Sequence, residues 1–196
     1  MSSYFTIDKV YTEELSVKDS QFIALLYPLN SKEEFNEILS LLWKEHPKAR
    51  HICYAYILDQ NNFHYYDDGE PSGTAGMRIY SALKFKNLSR CALFVIRYFG
   101  GTKLGVGPLA KAYFEASMKV INSAQIVEKF ITREIVLKIN YHQFERLKKL
   151  IKEFSPVTPE TKFAELIELK VFIEPERLDE FLNRVKEFNV DLKFMK

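Results

Sequence analysis

The chain has 196 residues, 47% hydrophobic and 28% charged, with a net charge of +2. That length allows one medium domain or two small ones, and that composition excludes a disordered or fibrous chain. No basic-then-apolar leader opens the sequence and no apolar run approaches the ~20 residues of a membrane span, so a cytoplasmic protein without a membrane partner is expected.

Charge is spread evenly. Residues 1–130 hold 15 Lys+Arg against 14 Asp+Glu, and residues 131–196 hold 13 against 12. A nucleic-acid surface would therefore have to be a local patch. Cys53 and Cys91 each stand alone among apolar neighbours, outside any CxxC or zinc spacing, and read as reduced core thiols.

In chain order, "YFTIDKV" and "QFIALLYPL" predict strands. Ser31 with Glu34 makes a capping box ahead of Phe35, Ile38, Leu39 and Leu42, which predicts a helix. "HICYAYIL" and "NNFHYY" predict two strands around a turn at 59–61. The stretch "YDDGEPSGTA" follows at 66–75 and leads into a helix predicted over 74–83, with Ser72 and Thr74 as its caps. "CALFVIRYF" is apolar almost throughout, as a strand buried on both faces would be. It ends at Gly100 and Gly101, and Pro108 opens a helix whose buried stripe is Leu109, Ala112, Ala116 and Val120.

A joint is expected at 128–132, giving domains 1–130 and 131–196. After it, "REIVLKINY" alternates as a half-buried strand, and Phe144, Leu147, Ile151 and Phe154 recur at helical spacing up to Pro156 and Pro159. "TKFAEL" and "IELKVFI" predict two strands. Pro175 opens a helix carrying Leu178, Phe181, Leu182, Val185 and Phe188, which Asn189 ends, and "VDLKFM" closes with a strand. The order is βαββαβ, the ferredoxin-like plan.

The seven glycines fall in two turns, at 69, 73 and 76 and at 100, 101, 105 and 107, each between a strand and a helix. Glycine there allows positive φ and close backbone approach, and free N–H groups at a helix start favour an anion. In "RYFGGTKLGVGP", Arg97, Gly100, Gly101, Thr102, Lys103 and Gly105 fit an anion cradle, with Ser72 and Thr74 of the first turn as further anion-binding candidates. Tight packing of strand on helix fits the same residues equally well. The loop matches neither G-x-x-x-x-G-K-[ST] nor G-x-G-x-x-G. The acidic turn argues the other way, because Asp67, Asp68 and Glu70 would repel a bound anion. They call for a basic partner from Arg50, Arg78, Arg97 and Lys103, for Mg²⁺ with water, or for a general acid–base role without an identifiable nucleophile. His51 and His64 flank the region on strands and read as structural. Nearby tyrosines are mostly core, and exposed ones could stack bases.

"DDGEPSGTAG", then "RYFGGTKLGVG" and "LAKAY", with "EHPKARHICYAYI" upstream, resemble the signature of the YigZ/Impact family over roughly residues 15–125. The resemblance implies an α+β protein of two α/β-sandwich domains. The first would resemble domain four of elongation factor G, and the ferredoxin-like second would resemble modules of translation factors. The family is associated with translation control. Its eukaryotic members carry an extra N-terminal domain and act on an amino-acid-starvation kinase pathway, whereas the position of the motifs here resembles a bacterial-type member. The family's motifs fall on 67–76 and 97–105. Arg78 stands where the family usually has proline, and Gly107 with Pro108 where it usually has two glycines. A peptidase label carried by some members has no support in these motifs. The first expectation is a non-enzymatic regulator that binds RNA, the ribosome or a translation-related protein. An enzyme acting on a phosphate- or carboxylate-bearing ligand, with a metal on Asp67, Asp68 or Glu70, is the alternative, and a protein-binding module the third.

Overall fold

The computed structural model describes residues 3–188 and 190–194. The chain divides into two compact units, one of Phe5–Glu128 and one of Lys129–Lys196 with the first residues up to Tyr4. The fold class is the mixed α+β expected from the sequence.

The first unit holds an antiparallel sheet in the order β2–β3–β6–β4–β5, built from β2 (Tyr11–Val17), β3 (Ser20–Pro28), β4 (His51–Ile57), β5 (Phe63–Tyr66) and β6 (Cys91–Tyr98). Helix α1 (Lys32–Glu45) covers one face, and α2 (Gly76–Phe85) and α3 (Val106–Ser123) cover the other. β6 shows why its sequence lacks polar alternation. Ala92, Phe94 and Ile96 pack with Phe35 and Leu42 of α1, while Cys91, Leu93 and Val95 pack with Ile79, Leu109 and Ala112 on the opposite face. Ser31 Oγ accepts from the Glu34 amide at 3.2 Å and starts α1, but the Glu34 carboxylate accepts from the Asn30 amide at 2.8 Å, so the predicted capping box is half formed.

The second unit carries β8 (Arg133–Ile139), α4 (Tyr141–Phe154), β9 (Glu160–Lys162), β10 (Ile167–Ile173), a 3₁₀ turn (Pro175–Arg177), α5 (Leu178–Lys186) and β11 (Asp191–Phe194). The sheet order β11–β8–β10–β9, with every neighbour antiparallel, is that of the ferredoxin-like βαββαβ fold. Ile135, Leu137 and Ile139 meet Leu147, Ile151 and Phe154 across its core. A separate pair joins β1 (Ser3–Ile7) and β7 (Ile126–Phe130).

Several boundaries differ from those predicted. β1 stops at Ile7, and β2 is a strand that "YTEELSV" hides, because Glu13 shares the inward face with Tyr11, Leu15 and Val17. Glu13 sits there by pairing with Lys119 of α3 at 3.3 Å. β9 is only Glu160–Lys162, and Phe163 beyond it is exposed and stacks on Tyr141. α2 starts at Gly76, two residues after the predicted start, and α3 at Val106, with Pro108 inside its first turn. The predicted stop at Asn189 lies outside the described residues.

Candidate functional site: a basic cleft over a buried ion pair

β4 and β6 run antiparallel with His51 opposite Arg97. That register sets residues just before β4 beside the loop just after β6. The acidic turn at 67–76 closes the third side.

Each acid of the turn has its own protein partners. Asp67 caps α2 from a distance: its Oδ1 accepts from the amides of Ala75 (3.0 Å) and Gly76 (2.8 Å), and its Oδ2 from Gly73 (2.9 Å). A carboxylate there meets the positive end of the helix dipole. This corrects the predicted capping by Ser72 and Thr74. The N-cap position is Ala75, which makes no side-chain cap bond, and Thr74 Oγ1 instead donates to the Pro71 carbonyl at 2.6 Å while Ser72 is exposed. Asp68 adopts φ 47° so that its Oδ2 accepts from the Ile52 amide at 2.8 Å, and its carbonyl meets His51 Nδ1 at 2.6 Å. The carbonyl can only accept, so Nδ1 carries the proton.

Glu70 binds the basic loop, as compensation between the two turns requires. Its Oε1 accepts from Arg97 Nη1 at 2.6 Å and from the Tyr113 hydroxyl at 2.8 Å, and its Oε2 lies 3.9 Å from His51 Nε2. The Glu70 and Arg97 side chains are 4% and 7% exposed. Arg97 also reaches Ser20 at 3.4 Å and lies over the rings of Phe22 and Phe99. Below, the Cys53 thiol meets the Asp67 carbonyl at 3.0 Å and the Tyr113 hydroxyl at 3.3 Å. Burial pushes both the Cys53 thiol and the Tyr113 phenol well above their ordinary values. A thiol held neutral in this way is not a nucleophile.

These partners test the Mg²⁺ reading. The carboxylates of Asp67 and Asp68 are taken up by backbone amides, and Glu70 by an arginine and a phenol. Among the described residues no three His, Cys, Asp or Glu side chains are grouped to hold a metal ion. This donor set does not fit Mg²⁺.

Above the Glu70–Arg97 pair opens a cleft of about 640 Å³. Its charged lining is Lys48, Arg50, Arg97 and Lys103, against Glu70 as the one lining carboxylate. Lys48, Arg50 and Lys103 are exposed, and none has a carboxylate partner among the described residues. Phe99, 45% exposed, and Val106, 64% exposed, add apolar wall.

Of the predicted anion-binding candidates, Arg97, Lys103 and Gly105 line this cleft, while Gly100, Gly101 and Thr102, and Ser72 and Thr74 of the acidic turn, do not. Gly100 is a packing residue: a Cβ there would stand 1.7 Å from the Asp19 carbonyl oxygen. Thr102 Oγ1 donates to Asp19 Oδ2 at 2.7 Å. Gly105, at φ 86°, is the N-cap of α3. Arg78 Nε donates to the Gly73 carbonyl at 3.2 Å, so the charge that departs from the family pattern fastens the turn it follows. Lys48 and Tyr113 are the residues that sequence reasoning missed. Lys48 was legible only through the β4–β6 register. Tyr113 sits in the apolar stripe of α3, where nothing announces the carboxylate at its hydroxyl.

The profile of the Impact N-terminal domain matches residues 18–121, which include both glycine turns and every residue of the cleft. The chain belongs to the IMPACT family. It is 31% identical over 183 residues to the IMPACT family member YvyE of Bacillus subtilis (strain 168), covering 92% of this chain and 84% of that one. Against the IMPACT family member YigZ of Escherichia coli (strain K12) it is 28% identical over 177 residues, 88% of this chain and 87% of that one. A crystal structure of a hypothetical protein superposes with a TM-score of 0.70 at 26% identity, covering 100% of this chain and 98% of that chain. Among the described residues no helix is long and apolar enough to cross a membrane.

Proposed function

We propose that this IMPACT family chain is a translation-linked regulator that holds RNA by its phosphates in the cleft of the first unit. The observation that carries the reading is the charge arrangement. Three exposed cations, Lys48, Arg50 and Lys103, face a space whose one lining acid is already paired with Arg97. Phosphate is the anion such an array suits, and the exposed Phe99 ring beside it offers a face on which a base can stack. The link to translation rests on the family resemblance.

Filter binding of oligouridine at several salt concentrations tests this. Lys103→Glu and Lys48→Glu should weaken binding and each flatten the log–log salt slope by roughly 0.7 for every phosphate no longer held. Lys84→Glu, on the exposed side of α2, should leave the slope unchanged. Equal slopes for all four proteins would overturn the reading. The volume favours a second reading, since about 640 Å³ lies in the range of small-molecule sites. Thermal stabilisation by a nucleoside monophosphate, lost in Lys103→Glu and unaccompanied by oligouridine binding, would establish that one instead.

A further inference from the structure

The polar side chains that line the basic cleft are mostly donors. Lys48, Arg50, Arg97 and Lys103 can only donate, and His51 and Glu70 are the lining side chains able to accept. Glu70 Oε1 is taken by Arg97 and the Tyr113 hydroxyl, which leaves Oε2. His51 Nδ1 keeps its proton on the Asp68 carbonyl at 2.6 Å, so Nε2 of the neutral ring is a lone-pair acceptor. The two remaining atoms, His51 Nε2 and Glu70 Oε2, stand 3.9 Å apart, too far for a hydrogen bond between them. Neither has a hydrogen-bond partner among the described residues, and their side chains are only 17% and 4% exposed. Acceptors buried this far and left unpaired are costly, and a donor from a ligand removes that cost. Phosphodiester oxygens cannot be the donor, because they only accept.

We infer that His51 Nε2 and Glu70 Oε2 accept the two hydroxyls of a ribose cis-diol, so that RNA enters this cleft by its 3′ end. The inference rests on the RNA reading of the same cleft. The vicinal oxygens of the diol lie side by side, and each can place its proton on one of two acceptors spaced 3.9 Å apart. Within an RNA chain the 3′ oxygen is esterified and only the 2′-hydroxyl can donate. The last nucleotide alone offers both, and DNA lacks the 2′-hydroxyl throughout. Lys48, Arg50 and Lys103 would hold the phosphates that lead to that end, and a cleft of about 640 Å³ is of a size to enclose one terminal nucleotide. A site built around hydroxyl donors rejects an analogue without them, because its own buried acceptors are then left unpaired.

Anisotropy of 5′-fluorescein oligouridine on the full-length chain tests this at about pH 8, above the range in which imidazoles ordinarily ionise. Three ends are compared: the free diol, a 2′-deoxy last nucleotide and a 3′-phosphate. Removing that one 2′-hydroxyl should weaken binding about tenfold. The 3′-phosphate should weaken it at least as much, although its added charge would tighten binding governed by electrostatics alone. His51→Asn retains a donor for the Asp68 carbonyl but has no Nε2, and should lose most of the difference between the three ends. The wild-type comparison decides the matter by itself should that variant fail to fold. Salt-dependent binding that is equal for the three ends, or tighter for the 3′-phosphate, overturns this inference and leaves the RNA reading standing. No oligouridine binding at all overturns both. Uridine 5′-monophosphate carries the same diol, and competition by it at lower concentration than unlabelled oligouridine would assign the diol to a free nucleotide and overturn the RNA end.

Discussion

Glu70→Gln keeps the shape of the side chain and removes its charge, which leaves Arg97 as a buried cation without a counterion. The native pair is 2.6 Å apart, its two side chains are 4% and 7% exposed, and the next hydrogen bond of Arg97, with Ser20, is long at 3.4 Å. Breaking a buried pair from one side costs about 3–5 kcal/mol. Each kcal/mol moves the midpoint of a chain this size by roughly 2–4 °C, so a loss of roughly 6–20 °C is expected. Arg97→Met should cost a similar amount, because it leaves the buried Glu70 carboxylate with the Tyr113 hydroxyl and, 3.9 Å away, His51 Nε2. The double variant leaves no uncompensated charge and should be more stable than the sum of the singles implies, by about 0.5–3 kcal/mol. Thermal melts of wild type, both singles and the double by circular dichroism measure this. Lys111→Met is the control: it breaks the Lys111–Glu115 pair, whose side chains are 74% and 50% exposed, and should cost only about 0.3–0.5 kcal/mol. Strictly additive shifts, or a Glu70→Gln midpoint equal to that of wild type, would refute the claim that this pair ties the two loops together.

Gly100→Ala should destabilise far more than Gly101→Ala, because a Cβ at 100 meets the Asp19 backbone at 1.7 Å whereas 101 has open space and only its φ of 99° to strain, worth about 1–3 kcal/mol; urea denaturation of both variants checks the order. Asp67→Ala removes an acceptor from three amides at the start of α2 and should cost at least the ~1–2 kcal/mol of a lost N-cap, read by the same denaturation and by faster hydrogen exchange at Ala75 and Gly76. Stability should fall as pH rises above about 9, the ordinary thiol value, because burial pushes Cys91 up to about 12 and Cys53 higher still. In that window the unfolded chain has released protons that the folded chain retains, so each thiol contributes a loss of up to about 1.4 kcal/mol per pH unit. Cys91→Ala should flatten this alkaline limb, and a limb unchanged in that variant would contradict it.

The ferredoxin-like unit was legible because its faces follow clean periods. In "IELKVFI" the residues Ile167, Leu169, Val171 and Ile173 are all buried, and each turn between elements carries a proline or a polar break. β2 was illegible for the opposite reason: its inward Glu13 is compensated by Lys119, more than a hundred residues away, and no local pattern shows that. The site divides in the same way. That the acids of the first turn need a cation from the second follows from charge alone, and Glu70 with Arg97 fulfils it. Which acid takes the arginine, and that the other two take amides, depends on backbone geometry. Asp67 caps α2 only because the chain doubles back so closely that a Cβ at Gly76 would stand 2.6 Å from the Tyr66 amide nitrogen. Helix-start rules look for a cap next to the helix, so they selected Ser72 and Thr74.

The same geometry explains how a nearly neutral unit can present a basic cleft. The three carboxylates at 67–70 are the densest acidic run near it, yet each is turned into the fold. Glu70 and Arg97 neutralise one another. The negative charges of Asp67 and Asp68 point at converging N–H groups, and for Asp67 at a helix N-terminus, whose dipoles oppose its field. Lys48, Arg50 and Lys103 have no such counterparts among the described residues. The motif's acids therefore act as scaffold: they fix the shape of the turn and hold Arg97 in the wall. The field at the mouth of the cleft is left to cations contributed by two other segments. On this account a variant that unpins Asp67 should weaken anion binding only as far as it loosens the turn, whereas charge changes at Lys48 or Lys103 act on binding with the fold intact.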